Sequence, residues 1–370
     1  MKPIIIGTGI TGSFLFSKIP LAYAFDKARG AGGRTSTKSL KEDWKFDFGA
    51  TMFAGTTNVL RQQKPMEISI HSLFDRFGID LQLKQIWDEE HFFPRNGISE
   101  ISKAFLNFRI HRETGSTVEY GYHLTKIDVK SNGIFELTFT DQKSKLEIKT
   151  ETKELYLTLP IPQILDIFSA SPKNEILDRW TDFLLIRNQY RKTLISSLYY
   201  EKLDFPFQEF GLDPERRIPI TTVLRANKPL EYLSFENYKY NERDNLTKVL
   251  LIQYSEDFSE EYFLNWMDAE KKPTPNSFPK IRTLLKEDLK LPYPSEIWNH
   301  RWKFAQNKNP ILPKSEPMDL NSPKYLDWKL LAEETKLIPI GDFVFGPRIE
   351  RQIIGTDMFL NEFLSGKYHW

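Results

Sequence analysis

The sequence predicts an α/β fold: an N-terminal nucleotide-binding unit with a parallel sheet, a β-meander after it, and a second, α+β part built on a mixed sheet. Three observations carry this reading. Pro3 to Ile6 is a short apolar run leading into Gly7-Thr8-Gly9-Ile10-Thr11-Gly12, a G-x-G-x-x-G pattern at a strand-to-helix turn. Leu21 to Phe25 is a second apolar run that ends in Asp26. From Gly121 to Lys149 the pattern changes to alternating apolar residues around Asn132-Gly133, a strong hairpin signal.

Composition bounds the class. A chain of 370 residues has room for two domains at roughly 100–200 residues each. Lys+Arg is 51 and Asp+Glu is 50, for a net charge of +1, which gives no electrostatic case for nucleic acid or an anionic membrane as partner. With 40% hydrophobic and 14% aromatic residues a sizeable core can be buried. The absence of cysteine excludes disulfides, thiolate metal sites and a cysteine nucleophile. No apolar run reaches the roughly 18–20 residues of a membrane-spanning helix, so a cytoplasmic protein is expected. Lys2, the stretch Ile4 to Phe16 and Ala22-Tyr23-Ala24 have the outline of a signal peptide, but Gly7, Gly9 and Gly12 interrupt it.

Within the N-terminal unit each position has a physical role. Gly7 allows the tight turn, Gly9 lets the backbone approach a pyrophosphate, and Gly12 lets helix and strand pack closely. Ile10 and Thr11 lie in the glycine turn just before a helix whose N-terminus offers free N–H groups to the phosphates, and are cofactor-binding candidates with it. Ser13 to Lys18 reads as that helix, stopped by Pro20, and at about two turns it offers little packing surface. Asp26 follows Gly7 by 19 positions, close to the roughly 20 expected of a carboxylate that binds ribose hydroxyls. A phosphate-binding loop of the nucleoside-triphosphatase kind fails, because Ser13-Phe14 stands where it needs Lys and Ser or Thr.

Lys27-Ala28-Arg29-Gly30-Ala31-Gly32-Gly33-Arg34-Thr35 follows Asp26, and Asp47-Phe48-Gly49-Ala50-Thr51-Met52-Phe53 comes later. The first segment resembles the second FAD-binding motif of flavin-containing amine oxidases, and the second is similar to the renalase branch of that group. The resemblance implies an FAD cofactor held by Lys27, Gly33, Arg34, Thr35, Gly49, Ala50 and Thr51. Glycines there let backbone wrap the phosphates and ribityl chain, and Arg34 lends charge-assisted hydrogen bonds to the pyrophosphate.

The remaining elements follow in order. Phe93-Pro94-Arg95-Asn96-Gly97-Ile98 and a helix from Ser99 to Phe108 resemble the segment that returns to the family's FAD domain. Strands are expected over Tyr122 to Val129, Ile134 to Thr140 and Lys145 to Lys149, and the resemblance places Leu124 near the adenine. Leu155 to Leu159 reads as a buried strand ended by Pro160-Ile161-Pro162-Gln163, the family's crossing into a substrate domain. Beyond it, strands such as Val249 to Tyr254 alternate with helices such as Lys280 to Lys290, whose Ile281, Leu284, Leu285 and Leu289 share one face. Lys271, Lys272, Lys286 and Lys290 are expected in solvent.

Trp298 to Ala305 resembles a family segment lying by the flavin, and the proline-rich stretch from Pro310 to Pro323 reads as a functional loop. Leu337 to Ile340 reads as a strand leading to Gly341-Asp342 and a last helix. By resemblance Asp342 holds a ribityl hydroxyl, while Arg348, Ile349 and Glu350 open the helix that faces the isoalloxazine pyrimidine edge. The helix dipole there favours a reduced, anionic flavin. Arg351 stands where the family has glycine, so it is expected to obstruct the flavin or add positive charge beside it.

The implied fold is a Rossmann-like FAD-binding domain of the p-hydroxybenzoate hydroxylase and amine oxidase kind (residues 1–60, 94–163 and 335–370) with a substrate domain (61–93 and 164–334). The implied function is a renalase-type oxidoreductase in which a dihydronicotinamide isomer, such as 2- or 6-dihydro-NAD(P), gives a hydride to flavin and oxygen is reduced to hydrogen peroxide. An amine is the alternative substrate, and a nucleotide-binding protein without oxidase activity the alternative class. His300, Arg301, Trp302 and Tyr190 are the candidates for the catalytic pocket. Expected partners are the small substrate and oxygen, in a monomer or weak dimer. The histidines at 71, 91, 111, 123, 300 and 369 form no close metal-binding spacing.

Overall fold

A computed structural model describes the chain except residues 43, 62–63, 87–88, 113, 207–219, 222–228, 241–246, 314–316 and 364–370. His369 and part of the Pro310–Pro323 loop therefore lie outside the described residues. Five strands make a parallel sheet in the order Thr117–Tyr120, Tyr23–Asp26, Ile4–Ile6, Leu155–Leu157, Leu337–Pro339. The central runs Ile4-Ile5-Ile6 and Leu155-Tyr156-Leu157 are wholly buried, as continuous apolar strands must be when both faces are covered. Gly7, Asp26, Thr158 and Gly341 follow or end the C-terminal edges of these strands, which is where ligands of open parallel sheets bind.

The helix after the first strand runs Ile10–Lys18, starting at Gly9 rather than at the expected Ser13. Its shortness costs little, because every residue from Ile10 to Ser17 is buried between the sheet and the helices Ser99–Ile110 and Ile349–Phe363. Strands Tyr122–Val129, Phe135–Asp141 and Glu147–Thr152 form the expected antiparallel meander, with Gly133 at φ +76° in its first turn. Leu124 is buried in the core that surrounds the parallel sheet. Ile70, Phe74, Phe77, Ile79 and Phe92 join the same core.

A second, antiparallel sheet has the order Ile220–Thr221, Leu230–Phe235, Thr247–Tyr254, Tyr190–Leu203, Glu296–Asn307. The period of two divides its faces. Leu194, Leu198, Leu233, Phe235, Leu250, Ile252 and Tyr254 pack with Trp266, Ile281, Leu284, Leu285 and Leu289 on the outer side. Ile195, Val249, Leu251 and Trp298 pack with Trp44 and Phe46 on the inner side. The helix expected over Lys280 to Lys290 is instead α-helical only to Thr283 and continues as a wider turn over Leu284–Asp288, closed by Leu289 N–H donating to the Leu284 carbonyl at 3.0 Å. Its four apolar residues are buried as their spacing requires.

Asp47, Glu236 and Lys239 are all buried where the hairpin Thr37–Lys41/Trp44–Asp47 meets that sheet. Lys239 Nζ lies 2.8 Å from Glu236 Oε1 and 3.6 Å from Asp47 Oδ2. The Asp47 N–H donates to Glu236 Oε2 at 3.0 Å, and Asp47 Oδ1 accepts from Ile98 N–H at 3.0 Å and from Thr37 Oγ1 at 2.6 Å. Buried charges persist only when paired and hydrogen-bonded in this way.

At the C-terminus the structure departs from the expected order. Gly341 leads not directly into the last helix but into a single turn, Asp342–Phe345, and only after Gly346 (φ +88°) and Pro347 does the helix Ile349–Phe363 begin. No helix among the described residues is long and apolar enough to cross a membrane.

Candidate active site

A cavity of about 820 Å³ runs from the C-terminal edge of the parallel sheet to the inner face of the antiparallel sheet. Its first end is backbone. Gly7 stands at φ +99°, reachable at low cost only by glycine. A Cβ on Gly12 would lie 2.0 Å from the Gly7 carbonyl oxygen, so the third glycine is required by the helix–strand approach. No side chain caps the helix at Gly9, which leaves the first-turn N–H groups of Ile10 and Thr11 at the cavity wall. The second glycine run meets the first there: Gly9 and Gly32 form a parallel bridge, and Gly32 N–H donates to the Thr8 carbonyl at 3.0 Å. Thr35, Gly49, Ala50 and Thr51 complete this wall, with Gly49 so close to Arg34 that a Cβ would sit 1.9 Å from the Arg34 carbonyl.

Asp26 closes that end. Its Oδ2 accepts from Thr8 N–H and Thr8 Oγ1, both at 2.7 Å, and its Oδ1 from Ala28 N–H at 2.8 Å. The carboxylate is thus fixed in place while keeping acceptor capacity toward the cavity. Lys27 donates to Gln163 Oε1 at 3.1 Å across the rim. Thr8 had no place in the glycine pattern beyond its spacing, and only the hydrogen bond reveals its part.

The last helix supplies the facing wall. Arg348, Ile349 and Glu350 line the cavity at its N-terminus, and Gln352 ties the two helix starts together by accepting from Thr11 Oγ1 at 2.9 Å. Burial raises the Glu350 pKa, and contact with Arg348 opposes the rise. Arg351 corrects the expectation made for it. Its guanidinium turns away from the cavity and donates to the carbonyls of Phe345 (2.8 Å), Pro313 (2.9 Å) and Leu312 (3.3 Å), so it neither obstructs the cavity nor adds charge to it. Burial, with Arg348 nearby, lowers its pKa to about 10.

Arg34 and Asp342, expected to serve different parts of a cofactor, are paired with each other at 2.5 Å. Asp342 also accepts from Asn307 N–H at 2.9 Å and from the Tyr190 hydroxyl at 3.4 Å. Burial works against the Arg34 charge, and Asp342 more than offsets it, so its pKa is raised. Arg34 lines the cavity and Asp342 stands behind it. Leu124 does not reach the cavity either, because the meander strand turns it into the core.

Of the four catalytic candidates, Trp302 alone lines the cavity. It stacks on Phe48 at 5.6 Å and 13° and donates from Nε1 to the Phe48 carbonyl at 2.5 Å. His300 lies outside the cavity, stacked on Trp298 at 5.4 Å. Burial, then Lys271, Lys38 and Arg301, push its pKa down to about 3. Arg301 points to the opposite face and donates to the carbonyls of Phe263 (3.2 Å) and Leu264 (2.9 Å). Tyr190 supports Asp342 from behind and accepts from Ile161 N–H at 3.2 Å, and burial raises its pKa. The alternation of the strand Glu296–Asn307 separates Arg301 from Trp302, which sequence proximity had grouped, while His300 stays on the Trp302 side at a ring distance of 4.6 Å.

Residues the sequence did not single out form the far end: Thr193, Ile195, Glu231, Tyr232 and Gln253. They come from three strands of one sheet, and no local motif marks them. Among the described residues no group of His, Asp and Glu is arranged to hold a metal ion.

No protein-family model and no curated protein sequence matches the chain. Solved structures do match in fold. One described as "Putative protoporphyrinogen oxidase" from Exiguobacterium sp. 255-15 aligns with a TM-score of 0.59 at 8% identity, over 98% of this chain and 99% of that one. The "CLA-producing fatty acid isomerase" from P. acnes aligns equally well, at 0.59 and 8%, over 98% of each chain. Reduced UDP-galactopyranose mutase aligns at 0.57 and 11%, over 99% of this chain and 96% of that one. The chain therefore has the mixed α/β fold of these proteins over its whole length, with a parallel sheet of Rossmann type and separate antiparallel sheets.

Proposed function

We propose that this protein is an FAD-dependent oxidoreductase. The observation that carries the proposal is one continuous cavity that joins two abutting glycine runs, two helix N-termini and a ribose-type carboxylate to an aromatic-walled end on a separate sheet. The residues fit the cofactor. Asp26 would accept from the adenosine ribose, the N–H groups of Ile10 and Thr11 would face the pyrophosphate, and Arg34, braced by Asp342, would supply positive charge beside it. FAD, when bound, supplies a two-electron acceptor; the protein's part is to bind, orient and shield it. The start of the last helix at Ile349 favours negative charge on whatever ring lies against it.

Within this class the finer reading is renalase-type: a dihydronicotinamide isomer as the reduced substrate, oxygen as terminal acceptor and hydrogen peroxide as product. Trp302 would form one wall for the reacting ring. The alternative of a nucleotide-binding protein without oxidase activity rested on Arg351 and the short first helix, and the placement of both removes its support.

The test is the visible spectrum of protein purified without added cofactor, followed by acid release of any chromophore. Stoichiometric FAD is expected, with anaerobic bleaching by a dihydronicotinamide isomer and little or none by amines. A colourless protein that also fails to take up FAD would sink the proposal.

A further inference from the structure

The far end of the cavity holds a polar group to which the proposed cofactor cradle assigns no role. Glu231 lines the cavity with its side chain 34% exposed. Arg191 grips its carboxylate as a fork, with Nη1 2.8 Å from Oε1 and Nη2 on Oε2. Gln253 Nε2 adds a third bond to Oε2 at 2.6 Å. The three residues come from three adjacent strands. Gln253 pairs in register with Tyr232 on one side and Ile195 on the other, and an irregularity between Leu230 and Tyr232 brings Glu231 onto the cavity face, as bulges do.

The chemistry of the group follows from its bonds. A planar guanidinium fork cancels the carboxylate charge while leaving lone pairs on its outer side. With its NH₂ group committed to Glu231, Gln253 presents its carbonyl as a further acceptor. The Tyr232 hydroxyl accepts from Thr51 Oγ1 at 3.5 Å and keeps its own proton to donate. The result is a patch in which the fork carries no net charge, with acceptors on Glu231 and Gln253 and the Tyr232 hydroxyl among its donors, beside the flat face of Trp302.

We propose that the Glu231–Arg191–Gln253 group is the specificity site, selecting a substrate by a neutral, flat ring that offers N–H or O–H donors on one edge. An ammonium group gains no net counter-charge there, because Arg191 already supplies one. A carboxylate meets the lone pairs of Glu231 and is repelled. The proposal rests on the reading that substrate occupies the sheet end of the cavity, and it names the side chains and charge state that choose it.

The test is calorimetric titration of the full-length protein with benzamide, benzylammonium and benzoate, with FAD content read separately from the visible spectrum. Benzamide should bind at least about tenfold more tightly than either ion, the scale of one charge-assisted hydrogen bond. Arg191→Met bares the carboxylate and should invert the order, with benzylammonium ahead by about tenfold. Misfolding cannot produce an inversion. Glu231→Gln leaves the Arg191 charge unpaired and should bring benzoate ahead of benzylammonium by about tenfold. Equal affinities, no binding of any probe to the parent protein, or an unchanged order in Arg191→Met would overturn the proposal. FAD present with no such order overturns this inference alone; the order present without FAD overturns the cofactor reading alone.

Discussion

Arg34 and Asp342, 308 positions apart in the chain, meet at 2.5 Å and join the second glycine run to the edge of the last parallel strand. The pair is lopsided, since Asp342 is 2% exposed and Arg34 27%. Removing the arginine therefore leaves a carboxylate in the interior with, among the described residues, a backbone N–H and a phenol for company. Arg34→Met should cost about 2–3 kcal/mol in denaturant unfolding, below the full cost of breaking a wholly buried pair because solvent reaches the arginine. Asp342→Asn should cost less, about 1 kcal/mol, because the amide oxygen keeps the bond from Asn307 N–H and the amide NH₂ can donate to the Tyr190 hydroxyl oxygen instead of accepting from it. In both variants the FAD retained through purification should fall.

Gly12 and Gly30 provide a matched contrast. Gly12→Ala drives a Cβ against the backbone of Gly7, whereas a Cβ on Gly30 meets nothing within 4 Å. Gly12→Ala should lose about 3 kcal/mol and most bound cofactor, while Gly30→Ala should stay within about 0.5 kcal/mol of the parent. Thermal and denaturant unfolding of the two proteins separates the steric role of a glycine from its presence in a motif.

His300 gives a pH signature. Its pKa is pushed down to about 3, below the ordinary value of about 6.5, so between these values the unfolded chain binds a proton that the folded one refuses. Stability is fully present above about pH 6.5 and falls as the pH drops toward 3, at up to about 1.4 kcal/mol per pH unit from this group. Its Nδ1 is buried without a hydrogen-bond partner among the described residues, so His300→Phe should flatten the profile at little cost near neutrality. Unfolding free energies measured at pH 7, 6 and 5 would settle it, and an unchanged slope would reject the assignment.

The placement of Arg351 reverses the outcome that its position in the sequence suggests. Arg351→Gly should not raise FAD occupancy. It should instead destabilise the protein by about 2–3 kcal/mol, because the carbonyls of Phe345 and Leu312 lose a buried donor. A denaturation curve and a flavin-to-protein absorbance ratio on the same sample give both readouts.

How much of this was legible in the sequence depends on the distance over which each feature is written. The glycine turns, Asp26, the meander with its Asn132-Gly133 turn and the apolar face ending at Leu289 are local patterns, and local sterics or periodicity fix them. Arg351 was misjudged because its three carbonyl partners sit on a loop and on the single turn before the last helix, neither of which has a periodic signal. His300 and Arg301 were grouped with Trp302 as neighbours in sequence, yet strand alternation sends Arg301 to the other face, and His300, on the same face as Trp302, is taken up by packing against Trp298 and Phe48. Glu231 and Gln253 were invisible because only strand register brings them together.

The three charges at Asp47, Glu236 and Lys239 have a consequence for dividing the molecule. Any cut between positions 47 and 236 leaves Glu236 with Lys239 on one fragment and strands Asp47 on the other, at a site built to exclude water. The fragment that carries Asp47 keeps a carboxylate without its ammonium, so its separate expression should yield insoluble or unfolded material, and co-expression should rescue it. The same arrangement makes loss of the part that carries Lys239 the loss of the part that carries Asp47.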